Sequence, residues 1–157
     1  MTQAGRRLFL IQALKDENSE YRNLRLPRDA VGQRKLLRSL LNVRAPGAIG
    51  DDFLAVQDAY LQQKLAEEGD ITRLQCGAIV NAANSGLTGC YLPCHACIDN
   101  CIHTYAGIQL RQDCAALMAA QGHPEPAGQA KITRAYNLPC DYVLHTVGPI
   151  VEGPLTP

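Results

Sequence analysis

An α/β fold preceded by a helical leader is what three features of the sequence predict. Residues 1–68 carry helical periodicity without a strand-like run, the chain after Gly69 alternates strand-like with helical stretches, and the first of those strands runs into Asn81-Ala82-Ala83-Asn84-Ser85. Short apolar runs bounded by turn residues read as strands, and apolar residues three and four apart read as helices. The expected boundaries are a helical N-terminal extension over 1–68 and an α/β body over 69–157.

In chain order, a helix from Arg6 to about Asp16 places Leu8, Ile11 and Leu14 on one side, and Pro27 closes the polar stretch that follows. A second helix is expected from Arg28 to Leu41, with Val31, Leu36, Leu37, Leu40 and Leu41 as its apolar stripe, broken by Arg44-Ala45-Pro46-Gly47. Asp51 or Asp52 can cap a third through Glu68, with Leu54, Asp58, Leu61 and Leu65 along one side and Phe53, Val56 and Tyr60 beside it. The apolar run from Ala78 to Asn81 is short enough for a strand covered on both faces. A single helix is expected from Ile98 to about Ala120, since Ile98, Ile102, Tyr105, Ala106, Leu110, Cys114 and Leu117 recur at helical spacing. Residues 122–128 form a loop, and two strands follow at Ala130 to Tyr136 and Tyr142 to Val147.

With 157 residues, 46% hydrophobic and 19% charged, the chain suits one folded domain with a real core. Net charge is zero but unevenly placed: residues 1–44 hold ten of the fifteen Lys and Arg against four Asp and Glu. This reads as an arginine-rich leader docked on an acidic body, because a nucleic-acid surface needs denser basic clusters and aromatic platforms. No apolar run reaches the length of a membrane span, and Leu8-Phe9-Leu10-Ile11 is too short for a secretory core, so a cytoplasmic protein is expected. Seven cysteines, four of them between positions 90 and 101, suit a reducing compartment and a metal site better than a disulfide framework.

Cys90, His95 and Cys97 stand at offsets of zero, five and seven in a stretch turned by Gly89 and Pro93, a spacing that can aim two thiolates and one imidazole at a zinc ion with a coordination position left open. Cys90, Cys94, Cys97 and Cys101 also fit one face of a helix, so spacing alone leaves a buried cysteine stripe as an alternative, although Pro93 and Gly89 oppose a continuous helix. Asp99 can be a helix-start carboxylate, Asn81 and Asn84 turn formers, and Asp70 a loop or cap residue. His103 and His145 read as structural histidines, and Cys76, Cys114 and Cys140 as core thiols.

Gly69-Asp70-Ile71-Thr72, Ile79-Val80-Asn81-Ala82-Ala83-Asn84-Ser85, the cysteine and histidine loop, Ile98-Asp99-Asn100 with Ile102-His103, and His145-Thr146-Val147-Gly148-Pro149 together resemble the zinc-dependent macrodomains of bacteria and fungi, which remove ADP-ribose from modified proteins. Leu41-Asn42-Val43-Arg44 and Gln57-Asp58-Ala59-Tyr60-Leu61 resemble that family's N-terminal extension. The resemblance implies a macrodomain-like three-layer α/β/α body. It also implies a hydrolase for mono-ADP-ribosylated protein side chains, with Zn2+ held by Cys90, His95 and Cys97 and facing the distal ribose. It gives Asp99 the attacking water and Asn84 the distal ribose. Asp70 and Ile71 take the adenine, and Asn81 and Asn100 complete the substrate-binding set. The family carries a strand just before its Gly-Asp-Ile-Thr motif and continues well past its last motif. A truncated chain with an incomplete central sheet is therefore expected, its open edge free or paired with another molecule. The same residues could instead serve an ADP-ribose-binding module or an inactive fragment of that family.

Overall fold

The computed structural model describes residues 1–67 and 71–150, so the expectation for Asp70 lies outside the described residues. Three helices open the chain: α1 (Gln3–Glu17), α2 (Ala30–Val43) and α3 (Asp51–Glu67). The Thr2 hydroxyl caps α1 by accepting from Gly5 N at 3.1 Å, and the Asp29 carboxylate caps α2 by accepting from Gly32 N at 2.7 Å. Each satisfies a donor that the first helical turn leaves without a partner. The buried stripe of α1 is Arg7, Leu10, Ile11 and Leu14, and Leu8, placed on that side by its spacing, lies one residue off the stripe and stays 39% exposed. Likewise Val31, in the first turn of α2, is exposed, whereas Leu37, Leu40 and Leu41 are buried.

After a short 3-10 turn (Ile71–Arg73) come β1 (Ala78–Ala83), α4 (Ile98–Ala106), α5 (Ile108–Gln121), β2 (Ala130–Arg134) and β3 (Tyr142–Val147). The sheet has the order β1-β3-β2, with β1 parallel and β2 antiparallel to β3. Its register sets Asn81 beside His145 and His145 beside Lys131. Burial alternates along β1: Ile79 and Asn81 point inward, and Ala78, Val80 and Ala82 are exposed. The expectation of a strand covered on both faces therefore fails among the described residues. The opposite face, with Val80 and Ile132 each more than half exposed, carries no helix there. One apolar core runs from Leu10, Leu40 and Leu61 of the leader into Ile102, Leu110 and Val143 of the α/β part.

The single long helix expected from Ile98 is two helices, because Gly107 adopts φ +98° and turns the chain between α4 and α5. Distant side chains replace the helix's own bonds at the break. Gln57 Oε1 accepts from Ile108 N at 3.2 Å, and Asn137 Nδ2 donates to Ala106 O at 3.0 Å. A Cβ at position 107 would stand 2.7 Å from Gln57 Nε2 in a backbone conformation that side chains disfavour. Gly107→Ala is thus expected to cost about 1–3 kcal/mol of stability, read as a lower urea midpoint.

Candidate functional site

The loop between β1 and α4 carries the metal-ligand types. One ligand atom from each of Cys90, His95 and Cys97 lies within 4.8 Å of the others, and Cys90 Sγ is 3.6 Å from His95 Nδ1. Helix α4 begins only at Ile98, so Cys90 and Cys94 are not part of a helical cysteine stripe. Cys94, at φ +54°, turns its thiol towards α2, where it meets Ser39 Oγ at 3.3 Å, and Cys101 accepts from Arg38 Nη2. Two thiols and an imidazole brought together in a partly exposed loop match the donor chemistry of a zinc site with an open position. Cys97 also caps α4, its Sγ accepting from Asn100 N at 3.4 Å. Burial, with the Cys90 thiol beside it, pushes the Cys97 thiol above its ordinary value against the pull of the Asn100 amide.

The leader holds this loop in place. Asn42 of α2 accepts from Cys94 N at 3.0 Å and donates to Thr104 Oγ1 at 2.8 Å. Arg38 donates to His95 O at 3.0 Å and to Asn100 Oδ1 at 2.9 Å, and Asn100 Nδ2 donates to Leu92 O at 3.0 Å. Arg111 of α5 donates to the carbonyls of Leu41, Asn42 and Arg44, closing the C-terminal end of α2, while its guanidinium lies 4.5 Å from the centre of the Tyr91 ring in the loop. That arrangement joins a helix cap to a cation–π contact. Gly89, at φ +86°, lets the loop press on His103, whose Cγ would lie 2.7 Å from any Cβ there. Removing the Asn42 clamp by Asn42→Ala is expected to cost about 1–3 kcal/mol, measured by thermal unfolding.

Asp99 sits in the first turn of α4, 5% exposed, and accepts from Asn81 Nδ2 at 2.8 Å through Oδ1; its Oδ2 has no hydrogen-bond partner among the described residues. Burial raises its carboxyl above the usual carboxylate range, against the Asn81 bond and the Arg111 charge, which both lower it. Asn81 Nδ2 is also 3.1 Å from His145 Nδ1, and His145 Nε2 is 2.9 Å from Thr133 Oγ1. Burial holds the His145 imidazole down to about 4 and, with the Arg111 charge, that of His103 down to about 3. Both rings are therefore neutral near pH 7, and the 3.6 Å approach of His103 Nε2 to Asp99 Oδ1 is not an ion pair. His145 matches the structural reading of the sequence. No close hydrogen bond reaches either ring nitrogen of His103 among the described residues; the Leu87 backbone and the Gly89 turn lie against the ring.

Asn84 ends β1 in an exposed turn, accepting from Gly86 N at 2.9 Å and donating to Gly89 O at 3.1 Å. Asn81, Asn84, Asp99, Asn100 and the three ligand types thus converge on the end of β1 and the start of α4. Ile71, half-buried, opens the 3-10 turn. Asn100 is fully buried and commits its amide to the loop. Sequence reasoning missed Arg38, Asn42, Arg111, Tyr91 and Thr133. Asn42 did carry a signal, since Leu41-Asn42-Val43-Arg44 resembles the family's N-terminal extension, but no role is assigned to it by that resemblance.

Fold and site together define an α/β domain with a small mixed sheet and a polar, cysteine-bearing loop at the end of a strand. Residues 80–156 match the profile of the Macro domain. A protein-ADP-ribose hydrolase of Treponema medium is 53% identical over 179 aligned positions, covering 99% of this chain and 69% of the relative. At least 22 of those 179 positions have no counterpart among the 157 residues here. A protein-ADP-ribose hydrolase of Staphylococcus aureus (strain MRSA252) is 43% identical, covering 92% of this chain and 61% of the relative. Among solved structures, the Oceanobacillus iheyensis macrodomain with ADP aligns at 38% identity with a TM-score of 0.46, covering 52% of this chain and 42% of that one. The chain belongs to the macro domain family.

Proposed function

We propose that the protein is a zinc-dependent hydrolase that removes mono-ADP-ribose from modified protein side chains. The observation that carries this reading is the pairing of a buried carboxylate, Asp99, with a Cys90, His95 and Cys97 cluster at the same strand end, in a chain whose relatives are named protein-ADP-ribose hydrolases. Cys90, His95 and Cys97 would hold the zinc. When bound, the ion supplies a Lewis-acidic position that orients a sugar hydroxyl or water. Two thiolates offset its charge, so it acidifies water less than a three-histidine site would.

Asp99 takes the proton of the attacking water through Oδ2 while Asn81 keeps Oδ1 fixed. Its raised basicity suits that role. Water oxygen bonds to the anomeric carbon of the distal ribose, and the bond to the modified side chain breaks, its electron pair leaving with the side-chain atom, which takes up the proton that Asp99 received. Asn84 holds the ribose, Asn81 and Asn100 complete the substrate-binding set by fixing Asp99 and the loop, and Asp70 with Ile71 receives the adenine. The backbone amides at the start of α4 favour the diphosphate.

Release of ADP-ribose from a mono-ADP-ribosylated test protein, with and without a zinc chelator, tests the reading. Release that the chelator abolishes supports it; release undiminished in metal-free protein rejects the zinc requirement. No release under either condition rejects the hydrolase, and titration calorimetry with ADP-ribose then separates a binding module, which gives saturable heat, from an inactive fragment.

A further inference from the structure

Four buried side chains from four elements form one hydrogen-bonded line beneath the loop: Thr133 on β2, His145 on β3, Asn81 on β1 and Asp99 on α4. We infer that His145 and Thr133 are positioning residues that lock the Asn81 amide and, through it, aim the Asp99 carboxylate. The consequence for turnover rests on the hydrolase reading above; the order of the bonds does not.

An amide nitrogen only donates, and Asn81 Nδ2 has an acceptor for each of its hydrogens, Asp99 Oδ1 at 2.8 Å and His145 Nδ1 at 3.1 Å. His145 Nδ1 must therefore carry a lone pair. A neutral imidazole then holds its one proton on Nε2, which donates to Thr133 Oγ1 at 2.9 Å. Asn81 Oδ1 is left buried without a partner among the described residues, an arrangement that costs free energy. Reversing the amide would set that oxygen against an ionised carboxylate, so the less favourable contact is avoided and the amide keeps one orientation. Parallel pairing of Asn81 with His145 across β1 and β3 fixes the spacing of the two central members.

The same histidine also belongs to a second group with metal-ligand chemistry, His103, Cys114 and His145, whose ligand atoms lie within 4.8 Å of one another. Both nitrogens of His145 are already engaged, Nδ1 accepting from Asn81 and Nε2 facing Thr133 Oγ1 at 2.9 Å with Cys114 Sγ further off at 3.7 Å, so with the proton on Nε2 no lone pair faces Cys114. The ring serves the carboxylate and not an ion.

The test uses the full chain, with kcat and KM for release of ADP-ribose from the test protein and long-range 15N–1H spectra of the histidine rings. In the parent protein the His145 spectrum should show the proton on Nε2; Asn81→Ala should populate the other tautomer, whereas Thr133→Val, which keeps the Asn81 donor against Nδ1, should not. His145→Leu should lower kcat about threefold to tenfold with KM changed by less than about twofold, as expected for a lost hydrogen bond between neutral groups. His145→Asn, whose Oδ1 can stand where Nδ1 does, should recover most of that loss. If His145→Leu does not fold, Thr133→Val, close in shape, should lower kcat in the same direction. A proton on Nδ1 in the parent protein, a His145→Leu or Thr133→Val enzyme with unchanged kcat, or equal losses in His145→Asn and His145→Leu would overturn the inference. A parent chain without hydrolysis would sink the hydrolase reading instead, and the tautomer with its response to Asn81→Ala then decides the bonded line alone.

Discussion

Replacing Cys97 by serine is expected to remove zinc and hydrolysis together while leaving α4 in place. Cys97 has two jobs, as one of three clustered ligand types and as the cap that accepts from Asn100 N. A serine hydroxyl is a good cap but a poor zinc ligand at neutral pH, so this change separates the two. Cys97→Ala loses both, with about 1 kcal/mol of additional destabilisation from the missing cap. His95→Ala should match Cys97→Ser in zinc content, and Cys114→Ala, buried outside the loop cluster, should retain zinc. Elemental analysis of the purified variants beside their hydrolysis rates is the measurement, and full activity in zinc-free Cys97→Ser would exclude a role for the metal. Because burial keeps the Cys97 thiol protonated above its ordinary value, zinc uptake should release protons and the affinity should rise with pH.

The second large effect is expected from Asp99→Asn: hydrolysis falls about a hundredfold to ten-thousandfold, the range for losing a general base, while the fold is kept or gains stability. An asparagine at 99 can still accept from Asn81 Nδ2 but no longer carries a charge into a nearly buried position. The pH dependence has a definite sign. Burial raises the folded-state value of Asp99, so its contribution to stability is fully present below the unfolded carboxyl's value and is lost as pH rises through the folded one. Between parent and Asp99→Asn, the difference in unfolding free energy should therefore widen in favour of the variant as pH increases through the acid range. A variant that is less stable at neutral pH, or that hydrolyses at the parent rate, would contradict this account. Ligand binding provides a further check: Asp99→Asn should bind ADP-ribose close to the parent level, because the carboxylate is assigned to water and not to the nucleotide.

Much of the site is legible in residue spacing. The Gly89 and Pro93 turns with Cys90, His95 and Cys97 foretell a ligand loop, and the apolar run ending at Asn81 foretells the strand that delivers it, because ligand type and turn chemistry are local properties. Helices α1 to α3 and strands β2 and β3 are equally local, set by periodicity within a few residues. The same logic fails at Gly107, where apolar residues continue at helical spacing on both sides of a break. Gln57 and Asn137 stabilise that break from 51 and 31 positions away, a distance no local pattern reports.

By itself the sequence determined the α/β class, the order of its elements apart from the break at Gly107, the cysteine and histidine donor set and the likeness to the macro domain family. Tertiary structure alone decided how these become a site. It joined Arg38 and Asn42 of the leader to a loop more than fifty positions away, and Arg111 of α5 to both the α2 carbonyls and Tyr91. It also gave Asp99 a fixed donor, Asn81, and gave Asn81 its second acceptor, His145. The reason is that a hydrogen bond between buried side chains depends on strand register and helix packing, which bring distant positions within 3 Å or so of one another, whereas periodicity specifies only which face of its own element a residue occupies.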